Sequence, residues 1–241
     1  NIDASDRFGF VSPGYYYCVL EPFNLEPYHD DGDKLTYVFD LDKYQTIVEK
    51  LYSIFIGDGG FIAPDGDICK KMFTEGRAMF TYDALSDAVL NYSQTNVVYG
   101  ILPMPKLDEN QPEYFAGCTD QPISVPITAE SHLDQTGLII EALSAEGYHR
   151  VFPAYFEQAL KVRYADQTDD AKMIDIVNQN VILSFTYMYG DYKSPYNNML
   201  ETLFNGKSPN TDVASYAASI QSAQEARVKK IMDTYADLKN R

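Results

Sequence analysis

The residues of this chain that could do chemistry are carboxylates, tyrosines, cysteines and three histidines, and they form no familiar catalytic motif. The sequence has no GxSxG elbow, no Walker A loop, no GxGxxG after a strand and no HExxH zinc motif. His29 lies in an acidic turn, whereas His132 and His149 lie at the two ends of a predicted helix. These positions are typical of surface or capping histidines, so we expect no histidine base.

Carboxylates are abundant, because 35 Asp and Glu residues stand against 19 Lys and Arg residues and give a formal net charge of −16. Glycoside cleavage needs two flanking carboxylates, but in so acidic a chain many pairs could be nominated. The same charge repels phosphate backbones and anionic headgroups, which argues against nucleic acid and membrane surfaces as partners. Small molecules and proteins remain as candidate partners.

Metal binding is not predicted. Cys18, Cys69 and Cys118 are far apart and include no CxxC pair, which favours three small buried residues over one disulfide with a spare thiol. The acidic cluster at residues 30–33 lacks the later Glu of a calcium loop and is typical of a solvated turn. We therefore expect neither a metal nor a cofactor.

Strand and helix signals alternate in the first half of the chain. Residues 8–28 mix aromatics with Pro and Gly, as irregular or edge-strand sequence does. A second helix is predicted after Asp67, which can cap it, and a third over residues 84–91. The first predicted helix, residues 42–55, carries a core-facing stripe formed by Tyr44, Ile47, Val48, Leu51, Ile54 and Phe55.

Four short strands are predicted around these helices, at residues 78–82, 97–103, 114–118 and 123–126. The strand at residues 78–82 is predicted to be buried. Prolines end the second, because a residue without a backbone N–H group cannot continue a ladder. The polar stretch that follows it is expected to be an exposed loop.

From about residue 128 the sequence becomes helical, with Ser131 and Asp134 matching a capping box at the first helix. Helices layered on a few short strands indicate an α/β architecture. The predicted helices cover residues 131–148, 152–165, 169–185, 196–204 and 212–240.

The order of three motifs resembles a known family. "MFTEGRAMFTYDALSDA" is followed by "NVVYGILPMPKLDENQPEYF" and then by "ISVPITAESHLDQTGLIIEALSAEG". This order is similar to the C-terminal half of the extracellular solute-binding proteins of ABC importers, in the carbohydrate-binding family 1 that includes maltose-binding protein. The resemblance extends over nearly the whole chain.

The resemblance implies a helix-rich, type II periplasmic-binding-protein-like α/β fold that is an incomplete two-lobe structure. Residues 1–112 would then belong to the C-terminal lobe, and residues 191–241 would return to it. Residues 113–190 would form hinge strands and helices of the N-terminal lobe. Because the chain begins at Asn1 without an initiator Met or a signal peptide, we expect a piece of a longer protein. Without the rest of that lobe, an apolar helical face needs another partner or stays exposed, including Leu138, Ile139 and Leu143.

The family also implies ligand-binding residues at the cleft between lobes. A strand end would present Tyr82 and Asp83, and a tyrosine ring suits the apolar face of a pyranose. Simpler interpretations stay open: Tyr82 as a core aromatic, Asp83 as a helix N-cap and the hinge residues as an ordinary turn. The hinge would add Thr119, Asp120 and Gln121, and Tyr16 is a candidate for stacking.

The implied function is capture of a sugar or oligosaccharide outside the cell and delivery to an importer permease, without catalysis. The protein would be a bacterial cell-surface lipoprotein, or periplasmic, held at the membrane only by a lipid anchor on a preceding segment. The absence of Trp sets the chain apart from many sugar-binding members. Two alternatives remain, a secreted glycoside-active enzyme and a surface scaffold or adhesion module.

Overall fold

The structure, a computed structural model, is a mixed α/β protein, which confirms the predicted class. Seven strands are present in the described part: β1 (Phe8–Ser12), β2 (Tyr28–Asp30), β3 (Leu35–Tyr37), β4 (Gly60–Ile62), β5 (Ala78–Thr81), β6 (Ala116–Gly117) and β7 (Val181–Ile182). The α-helices among the described residues are α1 (Leu41–Phe55), α2 (Gly66–Thr74), α3 (Asp87–Leu90), α4 (Leu133–Glu146), α5 (Thr168–Gln179), α6 (Asn197–Phe204) and α7 (Val213–Lys239). The structure describes residues 3, 5–14, 19–32, 34–57, 59–93, 95–118, 123–160, 168–185, 197–205 and 208–239.

The main sheet is parallel and three-stranded, with β1 in the centre between β4 and β5. The prediction of irregular or edge-strand sequence was therefore wrong for Phe8–Ser12. Both neighbours pair with β1, and Val11 and Ser12 at its end are fully buried. The Pro and Gly that suggested irregular structure come directly after β1 and end it.

Helix α1 confirms the prediction for residues 42–55. The Asp40 side chain caps it by accepting a hydrogen bond from the Lys43 backbone N–H group at 3.0 Å. Five of the six predicted stripe residues are buried, whereas Ile54 is 42 % exposed and lies beside the stripe. The buried face of α1 shares one core with α6 and with the hairpin formed by β2 and β3.

Helix α2 is confirmed as an element, but its cap is Asp65 rather than Asp67. The Asp65 side chain accepts from the Ile68 N–H group at 2.8 Å, and the extended backbone of Asp65 suits the N-cap position. Strand β5 is also confirmed, yet it is not the buried strand predicted. Strand β5 is at the edge of the sheet, and its Met79 and Phe80 side chains are 72 % and 47 % exposed.

Two predicted strands, residues 97–103 and 123–126, form no ladder with any described residue. The first is held by side chains instead, since the Tyr99 hydroxyl donates to the Ala88 carbonyl at 3.3 Å. The predicted strand at residues 114–118 shortens to β6, which pairs in parallel with β7. The helix predicted over residues 84–91 shortens to α3.

Residues 127–157 are mostly exposed to solvent. A 3-10 helix, Ile127–His132, precedes α4, so the predicted capping box does not form and His132 makes no side-chain cap bond. Helix α5 ends at Gln179 rather than near residue 185, because the next residues form β7. Helix α4 buries none of its residues, and its exposed apolar side chains include Leu138, Ile139 and Leu143.

Candidate functional site

The predicted residues Tyr82 and Asp83 lie directly after the carboxyl end of β5. In open α/β sheets, ligands bind beside the carboxyl ends of parallel strands. The chain leaves β5 in a tight turn, where the Asp87 N–H group donates to the Ala84 carbonyl at 2.9 Å, and then enters α3. This geometry holds both predicted side chains close to α2 and α3.

Tyr82 is part of the core. It is 8 % exposed, and its ring packs on Phe10 and Phe55 with ring centroids 6.3 and 6.2 Å away. This placement agrees with the core-aromatic interpretation that the sequence left open. A ring covered in this way does not offer a flat face to a sugar, and a ligand role for Tyr82 stays a prediction.

The carboxylate of Asp83 is held by two hydrogen bonds. Its Oδ2 atom accepts from the Tyr92 hydroxyl at 2.8 Å, and its Oδ1 atom accepts from the Ala84 N–H group at 3.0 Å. Since α3 begins only at Asp87, Asp83 is not the N-cap of this helix. The side chain of Asp83 is therefore held by the Tyr92 hydroxyl and by the neighbouring Ala84 N–H group, and it does not cap α3.

A second carboxylate, Asp87, lies beside the first. Lys70 from α2 reaches both, with its Nζ atom 2.8 Å from Asp87 Oδ1 and 3.9 Å from Asp83 Oδ2. The Asn91 side-chain amide also donates to Asp87. We call Lys70, Asp83, Asp87, Asn91 and Tyr92 the Asp83 cluster.

The two carboxyl groups of this cluster differ in proton affinity. Burial raises the pKa of Asp83 to about 6, and the hydrogen bond with Asp87 adds to this effect. Burial also disfavours ionised Asp87, but hydrogen bonds from Asp83, Lys70 and Asn91 hold the pKa of Asp87 below its usual value. Asp83 therefore takes up a proton first as the pH falls, while Asp87 remains an anion.

Aromatic packing fixes the Tyr92 hydroxyl. The Tyr92 ring meets Phe73 and Tyr99 edge to face, with centroids 5.2 and 5.8 Å away. Burial, followed by the hydrogen bond to Asp83, keeps the pKa of Tyr92 far above its usual value. At neutral pH the Tyr92 hydroxyl is therefore protonated and donates its hydrogen bond to Asp83.

Cys69 lies next to the cluster, and its thiol is a poor nucleophile. Its Sγ atom is 3.3 Å from the Thr81 hydroxyl, and burial raises the pKa of its thiol to about 11. A thiol is a nucleophile only as a thiolate. Cys69 is therefore a small buried residue, as its sequence context suggested.

The Asp83 cluster can recognise a polar ligand. The side chains of Lys70, Asp83 and Asp87 are 25 %, 14 % and 11 % exposed. Carboxylate oxygens accept hydrogen bonds from ligand hydroxyls, and the ammonium group donates to ligand oxygens. In the parts of the chain that the structure describes, no group of three or more His, Cys, Asp or Glu residues could hold a metal ion.

The other predicted site residues, Tyr16, Thr119, Asp120 and Gln121, lie outside the described residues. Sequence reasoning missed Lys70, Asn91 and Tyr92 in the cluster. Asp87 was also missed, because Asp83 precedes α3 and no helix spacing relates the two carboxylates. Lys70 gave no local signal, because only the packing of α2 brings it to Asp83.

Comparisons of the chain with protein-family models, with curated proteins and with solved structures returned no match. The resemblance to solute-binding proteins therefore rests on the order of the motifs in the chain itself. Among the described helices, none has the length and hydrophobicity that a bilayer crossing requires.

Proposed function

We propose that this chain is the C-terminal portion of an extracellular solute-binding protein of an ABC importer. The protein captures a sugar or oligosaccharide between two lobes and hands it, unchanged, to a membrane permease. The observation that carries this proposal is the Asp83 carboxylate, held in a partly exposed polar cluster at the carboxyl end of a parallel strand. The order of motifs, which resembles the carbohydrate-binding family, supports the same function.

The chemistry of the cluster suits a polyhydroxylated ligand. Above its pKa of about 6, the Asp83 carboxylate accepts hydrogen bonds, while Lys70 supplies a donor beside it. Each sugar hydroxyl both donates and accepts, so one hydroxyl can satisfy both groups. Hinge residues Thr119, Asp120 and Gln121 would complete the site from the other lobe.

The finer fold, a type II two-lobe binding protein, is part of this proposal, as are the predicted divisions near residues 112 and 190. The exposed apolar face of α4 supports it, because a helix whose Leu138, Ile139 and Leu143 are open to water needs a covering element. We propose that the remainder of the N-terminal lobe is that element. Hinge bending would then close the lobes over the ligand. An extracellular or periplasmic location with a lipid anchor follows from the same family.

A thermal-shift screen against mono- and oligosaccharides tests the proposed function. A ligand at a hundred times its Kd stabilises a folded protein by about 2.7 kcal/mol, which gives a clear shift. The key variant is Asp83→Asn, which removes one charge at nearly constant size. The matched control is Asp67→Asn, which removes the same charge from an exposed position on α2. We expect the shift to disappear in Asp83→Asn and to remain in Asp67→Asn.

A surface scaffold is the second candidate, and the open face of α4 is the observation that favours it. This function predicts no thermal shift with any sugar and a protein partner on α4. A secreted glycoside-active enzyme would need two carboxylates about 5 to 10 Å apart across a cleft. Lys70 instead bridges Asp83 and Asp87 within one cluster. Product analysis in the same samples separates the enzyme from the binding protein.

A further inference from the structure

Glu21 is a buried acid that the proposed sugar site does not use. It begins a 3-10 helix, Glu21–Phe23, and is 7 % exposed. In the described part of the chain, its Oε2 atom has no hydrogen-bond partner. A carboxylate oxygen buried in this way loses its hydration without a compensating hydrogen bond, which disfavours the ionised form more than the neutral carboxyl group.

The Glu21 carboxyl group lies against Gly117 of β6. A Cβ atom added to Gly117 would overlap the Glu21 carboxyl group, so β6 can approach the 3-10 helix only because residue 117 has no side chain. A neighbouring contact holds the same junction, since the Gln111 side-chain amide donates to the Pro22 carbonyl at 2.9 Å. Burial of Glu21 therefore depends on the position of β6.

Strands β6 and β7 lie at the two ends of the chain segment that contains the exposed helix α4. This pair of strands is where that segment joins the rest of the described chain. Their ladder is short: the Ala116 N–H group donates to the Asn180 carbonyl at 3.0 Å, and the Cys118 N–H group donates to the Ile182 carbonyl at 2.9 Å. Because β6 and β7 are paired, a change in the packing of β6 on the 3-10 helix would displace both strands.

The charged group that acts on Glu21 is Glu26, which follows it in the chain. Glu26 is tied to the segment after β7, because the Ser184 hydroxyl donates to its Oε2 atom at 2.9 Å. β6 itself consists of Ala116 and Gly117 and brings no titratable side chain to the helix. Among the described residues that make these contacts, none is a cation that could offset a charge on Glu21.

We propose that Glu21 is a proton-dependent latch, whose neutral carboxyl group lets β6 and β7 stay packed on the 3-10 helix and whose ionisation releases them. Burial, followed by repulsion from Glu26, raises the pKa of Glu21 from 4.5 to about 8. In the released form Glu21 is solvated and its pKa returns to its ordinary value. The packed form is therefore favoured at low pH, and it weakens as the pH rises between these two pKa values. This inference does not depend on the identity of the ligand.

Hydrogen exchange tests the latch in the intact chain. After correction for intrinsic exchange, the protection of the Ala116 and Cys118 amides should fall about tenfold per pH unit between about pH 5.5 and 7.5. Above about pH 8.5 the protection should level off. The amides of Ile47 and Val48 in α1 serve as an internal control for loss of the whole fold.

The variant Glu21→Gln keeps the neutral form at every pH, so the pH dependence at β6 should disappear. The variant Glu26→Gln removes the repelling charge, so the protection at β6 should level off at a lower pH than in the unmodified chain. A flat protection profile in the unmodified chain, or an unchanged slope in Glu21→Gln, would overturn the proposal. If Glu21→Gln does not fold, a carbon-detected NMR titration of Glu21 decides: a midpoint near 8 supports the latch, and one near 4.5 overturns it.

Discussion

Helices α1 and α4 are nearly equal in length, at 15 and 14 residues, and lie in opposite surroundings. Helix α1 is capped by Asp40 and buries a full apolar stripe against the sheet, α6 and α7. Helix α4 has no side-chain cap and buries nothing, although its sequence is as apolar. The difference shows that apolar residues at helical spacing predict a helix, whereas burial requires a partner that the helix sequence does not specify.

Truncation of one apolar side chain in each helix tests this contrast most strongly. Ile47 is fully buried, so Ile47→Ala should lower the free energy of unfolding by about 2 to 5 kcal/mol through lost burial and a cavity. Leu138→Ala in α4 should change it by no more than about 0.5 kcal/mol, because Leu138 is 68 % exposed. Urea denaturation measures both. A large loss in Leu138→Ala would mean that α4 is covered in solution.

A charge change at the junction between the two regions should have the next largest effect. Folded Glu21 keeps its proton up to about pH 8, whereas the unfolded carboxyl group loses its proton near pH 4.5. Because the unfolded Glu21 carboxyl group binds fewer protons in this window, the contribution of Glu21 to stability falls as the pH rises through the window and is constant outside it. Glu21→Gln should remove this fall and raise the free energy of unfolding at pH 8 by about 2 kcal/mol or more.

Urea denaturation at pH 5 and at pH 8 provides the measurement for Glu21. An exposed glutamate, Glu109, gives the control variant Glu109→Gln, which should leave the pH profile unchanged. Equal pH profiles for Glu21→Gln and the unmodified chain would show that the Glu21 side chain is solvated.

Helix caps give the smallest difference between the two helices. Asp40→Ala removes the hydrogen bond to the Lys43 N–H group and should cost about 1 kcal/mol. Ser131→Ala should cost less than about 0.5 kcal/mol, because Ser131 lies in the 3-10 helix before α4 and caps nothing. Thermal denaturation of both variants measures the difference. A loss of similar size in Ser131→Ala would show that Ser131 caps α4, as the sequence predicted.

Local signals explain which parts of the fold could be predicted. The cap and stripe of α1 are encoded within about 15 residues. The helix predicted over residues 212–240 is likewise observed, as α7. The central position of β1 could not be predicted, because its burial depends on β4 and β5, which come much later in the chain. Residues 97–103 have strand-like composition, but no described strand pairs with them.

The candidate site shows the same limit. Asp83 was predicted as a ligand-binding residue from the resemblance to a family, and that role stays a prediction. The structure places Asp83 shortly after β5. Its hydrogen-bond and charge partners, Tyr92 and Lys70, come from packing between elements and carry no local signal. The buried state of Tyr82 likewise depends on contacts with Phe10 and Phe55, which are distant in sequence.

The central claim is that the chain binds a sugar at the Asp83 cluster without altering it. The most direct measurement is calorimetric titration with the best sugar from the screen, followed by mass spectrometry of the same sample. We predict saturable binding to the unmodified chain, loss of at least about tenfold in affinity in Asp83→Asn, and recovery of the sugar intact. A cleaved sugar, or equal affinity in Asp83→Asn, would contradict this account.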